Sequence, residues 1–315
     1  MDRYGLVCRN VMEQPGLTQR ELAQRLDVSL GTVNGLLKEC ISRGYIKEED
    51  GRWQLLEGGK KLLEPYKVDG ALIIAAGFGS RFVPLTFETP KGLLEVFGER
   101  MIERQISQLH EAGICDITIA VGYLKEKFEY LIDKYGVKLL YNPEYSSKNT
   151  LATIYRARKV LKGRNMYILS SDNWMRENMY HAYECGAWYS ASFEEGETKE
   201  WCLSFNKKGR ITGVNVGGCG QWFMYGPVYL SREFSEQFLP VLEAYYEIPG
   251  TEQFYWEQPF ADMLSGEAKR RIEKADEALL KRTEEASGLP SSRWHEIEMD
   301  INQQPEDQVL RISGV

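Results

Sequence analysis

Ala71-Leu72-Ile73-Ile74-Ala75-Ala76, followed at once by Gly77-Phe78-Gly79-Ser80-Arg81-Phe82-Val83-Pro84-Leu85-Thr86, is the stretch on which the fold turns. The apolar run reads as a buried strand, and the glycines after it let the backbone approach a phosphate chain and aim its N–H groups at the oxygens. Arg81 adds charge there, and a lysine follows in Thr89-Pro90-Lys91-Gly92-Leu93-Leu94. Two commoner phosphate loops are excluded by inspection. No GxxxxGK[ST] string is present, and the dinucleotide pattern GxGxxG fails because Phe82 stands where its third glycine belongs.

From Val68 onward, strand and helix patterns alternate, which predicts an α/β domain with a mostly parallel sheet covered on both faces. Helical spacing runs over 101–112, 125–135 and 151–161. Strand patterns occupy 117–121, 138–141 and 166–169, the last stopping at Ser170-Ser171-Asp172. Ligands of such sheets lie beyond the carboxyl ends of strands, where these motifs fall. Residues 265–292 are charged and helical in pattern, and read as an added arm or lid.

Upstream the pattern differs. Thr18 stands three residues before Glu21 in a capping-box arrangement, and Leu22, Leu26 and Val28 follow as core positions. Ser29 caps a second helix carrying Val33, Leu36, Leu37 and Ile41, and two short strands flank a turn at Asp50-Gly51. The segment resembles the winged helix-turn-helix of bacterial regulators. The expected division is a winged domain over 1–66, a linker marked by Pro65 and Lys67, and a second domain over 68–315. Residues 1–67 hold 11 Lys+Arg against 10 Asp+Glu, a net +1, and the hairpin turn carries Glu48, Glu49 and Asp50. DNA binding by this domain is therefore not favoured, since phosphates would repel that turn.

Hydrophobic residues make up 43% of the 315 and charged residues 27%, an ordinary globular balance. No apolar run approaches the roughly 20 residues of a membrane helix, and the first ten residues lack a signal-peptide pattern, so a cytoplasmic location without membrane contact is expected. Six scattered cysteines show no CxxC spacing, which argues against a zinc site or disulfide framework.

The complete string GxGxR, PLT and TPKxLL resembles the signature of the sugar-nucleotide and cytidylyl transferase superfamily over 68–315. The resemblance implies a Rossmann-like nucleotidyltransferase domain with a mixed, mostly parallel sheet. It implies nucleotide contacts at Ala76, Gly77, Gly79, Ser80, Arg81, Lys91 and Asn149, with Arg81 and Lys91 on the triphosphate. Asp172 stands where the superfamily has an aspartate at a strand end, and as a hard carboxylate it suits Mg²⁺. A second metal ligand is expected near the C-terminus. Within Trp294-His295-Glu296-Ile297-Glu298-Met299-Asp300, read as a strand, Asp300 is the candidate and Glu298 its rival.

Further stretches resemble the bacterial CTP:phosphocholine cytidylyltransferases: Gly122-Tyr123-Leu124-Lys125-Glu126, Tyr141-Asn142-Pro143-Glu144-Tyr145, Lys199-Glu200-Trp201 and Phe254-Tyr255-Trp256. A quaternary ammonium donates no hydrogen bond, so aromatic faces and carboxylates must recognise it. Trp201, Tyr255 and Trp256 form the expected cage, with Glu200 or Glu257 as anion. The expected reaction is Mg²⁺-dependent cytidylyl transfer from CTP to phosphocholine, giving CDP-choline and pyrophosphate. The alternatives are a sugar-1-phosphate or other phospho-alcohol nucleotidyltransferase, and a DNA-binding regulator that senses a metabolite. His110, His181 and His295 show no triad arrangement and receive no catalytic role. A homodimer is compatible with the sequence, which carries no mark of symmetric pairing.

Overall fold

The computed structural model describes residues 1–79, 83–305 and 307–311. They form two compact units, Met1–Lys67 with Ala182–Cys185, and the rest of the chain.

In the first unit, α1 (Arg3–Glu13) starts at Asp2, whose side chain accepts from the Gly5 amide. Thr18 and Glu21 complete a reciprocal capping box on α2 (Gln19–Arg25), and Ser29 caps α3 (Leu30–Ser42). These caps satisfy amides that a helix start leaves unpaired. The strands β1 (Ile46–Glu49) and β2 (Arg52–Leu55) pair antiparallel about Asp50 and Gly51, both at positive φ, as a tight hairpin turn requires. Helix α4 (Glu57–Leu63) follows. Val7, Cys8, Leu22, Val33, Leu37, Cys40, Trp53 and Leu63 make the core. Arg9 pairs with Glu184 at 3.4 Å, within the same unit.

The second unit opens with β3 (Gly70–Ala75), a small hairpin of β4 (Glu95–Val96) and β5 (Glu99–Arg100), and α5 (Met101–Glu111). Next come β6 (Ile117–Val121), α6 (Tyr130–Tyr135), β7 (Lys138–Tyr141), α7 (Thr150–Leu161), β8 (Met166–Ser170) and β9 (Asn173–Met175). A long hairpin of β10 (Trp188–Phe205) and β11 (Ile211–Leu230) leads to α8 (Arg232–Glu247), α9 (Gln258–Ser265), α10 (Glu267–Ala275) and α11 (Glu277–Ser287). The strands β12 (Asp300–Gln303) and β13 (Val309–Arg311) end the described chain.

The main sheet has seven strands in the order β12-β10-β11-β8-β3-β6-β7. All neighbouring pairs are parallel except those made by β11, which gives the mixed, mostly parallel sheet expected. Alternate residues of β3 serve opposite faces. Leu72 joins the cluster built with α7 and α8, while Ala71 and Ile73 join the one built with α5. Each fully buried Leu or Ile contributes about 2 kcal/mol of transfer free energy, so this period-two pattern holds helices on both sides.

Three expectations change. The helix pattern at 125–135 divides into a 3-10 turn, Lys125–Phe128, and the short α6. Residues 265–292 are no lid, because Ile272, Leu279 and Leu280 of α10 and α11 belong to the core cluster shared with α8. The C-terminal acidic stretch is largely a 3-10 turn, Ser291–Glu296, held by buried Trp294, whose Nε1 donates to the Leu289 carbonyl at 3.2 Å; the strand begins only at Asp300.

Candidate active site

Strands β3 and β8 run parallel and end side by side, so the loops after them face one cavity of about 250 Å³. Gly77, Gly79, Lys91, Thr150, Ser171 and Asp172 are among its lining residues. Gly79 has φ +67°, and a Cβ there would lie 3.1 Å from the Thr86 methyl and 3.4 Å from the Lys91 Cβ. Gly92 lets the lysine loop close on the aspartate loop, since a Cβ there would stand 2.7 Å from the Ser171 side chain. The result is an ion pair in which Lys91 Nζ donates to Asp172 Oδ2.

Helix α7 aims its start at the same cavity. Asn149 Oδ1 accepts from the Thr150 amide at 2.8 Å, and Thr150 lines the cavity at the positive end of the helix dipole. On another side the ring of Phe78 packs edge-on against Tyr123 with centroids 4.6 Å apart, and the Tyr123 hydroxyl donates to the Phe87 carbonyl at 3.0 Å. The glycine loop is thereby tied to the turn after β6.

A larger cavity of about 670 Å³ is lined by Tyr189, Lys199, Glu200, Trp201, Val216, Met224, Tyr255 and Glu257. Trp201 and Tyr255 stand edge to face, 5.9 Å apart at 72°. Glu257 Oε1 accepts from the Tyr189 hydroxyl at 2.8 Å, whereas its Oε2 is buried without a hydrogen-bond partner. Burial pushes the carboxyl up to about 7, opposed by the Tyr189 hydrogen bond. A cation entering this cavity would meet aromatic rings beside the Glu257 carboxyl.

The two cavities share a seam. Thr150 Oγ1 accepts from the Trp256 amide at 3.1 Å, and the Leu151 amide donates to the Phe254 carbonyl at 3.2 Å. The loop that carries Tyr255 is thus fastened to the helix start that lines the smaller cavity.

The choline-phosphate cytidylyltransferase of Streptococcus pneumoniae is 33% identical over 194 residues, spanning 62% of this chain and 84% of the relative. The chain belongs to the cytidylyltransferase family. The 2-aminoethylphosphonate cytidylyltransferase of Lancefieldella rimae is 35% identical over 59% of this chain and 77% of its own length. A solved structure of the Streptococcus pneumoniae CTP:phosphocholine cytidylyltransferase matches with a TM-score of 0.66 at 27% identity, covering 79% of this chain and 95% of that one. The nucleotidyl transferase family model matches residues 70–191, and one described as winged helix-turn-helix DNA-binding matches 9–47.

In this cytidylyltransferase Gly77, Gly79, Lys91 and Asp172 come together in the smaller cavity, and Glu200, Trp201 and Tyr255 in the larger. Ser80 and Arg81 lie outside the described residues. Ala76 is buried beside the loop, and its carbonyl accepts from the Tyr123 amide at 3.1 Å. Asn149 serves as the cap of α7 and is not among the cavity-lining residues. Trp256 does not join the cage. It is 4% exposed, stacks on Tyr189 at 6.1 Å and meets Phe238 edge-on, so it backs the cavity wall from the core.

Asp300 is also corrected. It pairs in register with Trp188, which is level with Tyr229 and, across β11, with Tyr167. Asp172 lies beyond the opposite end of β8, three strands across, which puts the two roughly 15 Å or more apart. Arg210 engages Asp300 at 2.7 Å and also pairs with the rival Glu298. The remaining carboxylate, Asp172, still suits a magnesium ion, because Mg²⁺ commonly takes one or two carboxylates and completes its shell with water and substrate phosphate. Among the described residues no cluster of three or more metal-binding side chains occurs. Tyr189, Met224 and Val216 escaped the sequence reading, because they come from a hairpin whose bulges interrupt strand alternation.

Proposed function

We propose that the chain transfers a cytidylyl group from CTP to phosphocholine and releases pyrophosphate. The observation that supports this most directly is the seam at Thr150 and Trp256, which sets a phosphate-type cavity beside a cation-type one. The triphosphate lies along the amides of Gly77 and Gly79, with Arg81 and Lys91 neutralising it. Asp172 would hold Mg²⁺, which would supply charge neutralisation for the phosphates. An acceptor phosphate oxygen attacks the α-phosphorus in line, and the bond to the pyrophosphate oxygen breaks. That oxygen is already ionised near neutral pH, so no strong base and no covalent enzyme intermediate is required.

Trp201 and Tyr255 present ring faces and edges to the trimethylammonium group, with Glu200 and Glu257 as anions. A second acceptor class, a phosphate or phosphonate bearing a primary ammonium, is favoured by one observation: Glu257 Oε2 is buried and unpartnered, and an N–H donor would satisfy it. DNA recognition by the winged unit is not favoured on this reading, since its net charge is only +1, from 11 Lys+Arg against 10 Asp+Glu in residues 1–67. No helix among the described residues is long and apolar enough to cross a membrane.

The test is pyrophosphate release with Mg²⁺, crossing CTP, UTP, dTTP and ATP with phosphocholine, phosphoethanolamine, 2-aminoethylphosphonate and glucose 1-phosphate. Turnover confined to CTP with phosphocholine supports the first reading, and preference for either primary-ammonium acceptor supports the second. Preference for glucose 1-phosphate, or silence across the grid, overturns both.

A further inference from the structure

Tyr255, Trp256 and Glu257 supply two lining residues and one backing residue of the larger cavity, and the residues flanking this triplet are held by one buried carboxylate and its partner. Asp262 on α9 is 6% exposed. Its Oδ1 accepts from Gln258 Nε2 at 2.8 Å, which fixes the residue directly after Glu257. Its Oδ2 accepts from the Tyr245 hydroxyl at 2.7 Å and from Arg271 Nε at 3.2 Å. The Arg271 guanidinium in turn lies over the Phe254 ring at 5.1 Å, covering the residue directly before Tyr255. It also lies over Tyr245 at 5.8 Å, whose ring approaches Phe254 at 6.3 Å.

We propose that Asp262 and Arg271 are positioning residues for the acceptor: they clamp both ends of the 255–257 triplet and so set where Tyr255 and Glu257 stand in the cavity. The inference rests on the acceptor reading given above. None of these groups lines either cavity, so their effect on a substrate runs through the triplet alone. The planar guanidinium is suited to the task because it can stack on a ring while its edge donates to a carboxylate, and an ammonium cannot do both in one plane. The side of the triplet facing α7 is fastened separately through Thr150 and Leu151, so loosening the clamp leaves the phosphate cavity in place.

The test is steady-state kinetics of the full chain with Mg²⁺, CTP and phosphocholine. Arg271→Ala is expected to raise the acceptor KM about tenfold while the CTP KM stays within about twofold. Arg271→Lys, which keeps the ion pair and loses the stack, should fall between Arg271→Ala and wild type. Gln258→Ala releases only the second arm and should raise the acceptor KM by a smaller factor, a result obtainable even where Arg271→Ala does not fold. An equal rise in both KM values, or a lowered Tm with both KM values unchanged, overturns the clamp. Failure of the wild-type chain to turn over any ammonium-bearing acceptor overturns the acceptor reading instead, and the clamp falls with it.

Discussion

Lys91 Nζ donates to Asp172 Oδ2 within the smaller cavity, so the two opposite charges neutralise each other. On the proposed reading a triphosphate would offer Lys91 a stronger partner and free the carboxylate for a metal ion. Asp172→Ala should therefore lower kcat by about a hundredfold or more while circular dichroism stays unchanged. Near-normal pyrophosphate release from that variant would remove Asp172 from the metal site.

Gly92 is the residue that permits this pair to form. A methyl group at that position would enter 2.7 Å from Ser171, and either the lysine loop or the aspartate loop must retreat. Gly92→Ala should cost about 1–3 kcal/mol of stability, as overpacked sites do. Its kcat should fall more than its Tm suggests, as read by parallel thermal melts and turnover assays.

On the proposed acceptor reading, Glu257 makes binding dependent on pH. Burial disfavours the charged form and pushes its carboxyl up to about 7. A cationic acceptor prefers that charged form. The acceptor KM should then be lowest above pH 7 and rise toward tenfold per unit as pH falls below it, while Glu257→Gln flattens the profile. Stability runs the opposite way. The folded state holds this proton more tightly than the unfolded chain, so the contribution is full below the ordinary carboxyl range and is lost as pH rises through about 7. Melts of wild type and Glu257→Gln between pH 4 and 8 read this directly.

Trp201 stands edge to face with Tyr255 and lines the larger cavity. Trp201→Ala should raise the phosphocholine KM by about tenfold or more with little change in that for CTP. Equal shifts in both would move the cation away from this ring.

The residues legible in the sequence are those whose role is local. Gly79 and Lys91 belong to one short string whose spacing encodes the loop, and Thr18, Glu21 and Ser29 cap helices through contacts within three residues. Tyr255 and Trp256, adjacent and chemically alike, could not be separated that way. Burial against Phe238 and Tyr189 makes one a wall and leaves the other 49% exposed. The alternation in 294–300 imitated a strand, but buried Trp294 ties its indole back to Leu289 and winds the segment into a turn. The resemblance of this stretch to the family's ending singles out Asp300, whereas its position follows from the register of β12 on β10, a long-range fact.

The lining of the smaller cavity comes from residues 74–172 and that of the larger from 189–257, two consecutive stretches of chain that meet at the Thr150 hydroxyl. On the proposed reading, nucleotide handling and acceptor choice are therefore written in consecutive stretches of the chain. On that reading, substitutions in the hairpin and the loop after α8 would alter head-group choice without touching the glycine loop, lysine and aspartate. A lineage of such enzymes can therefore diversify its products without rebuilding its chemistry.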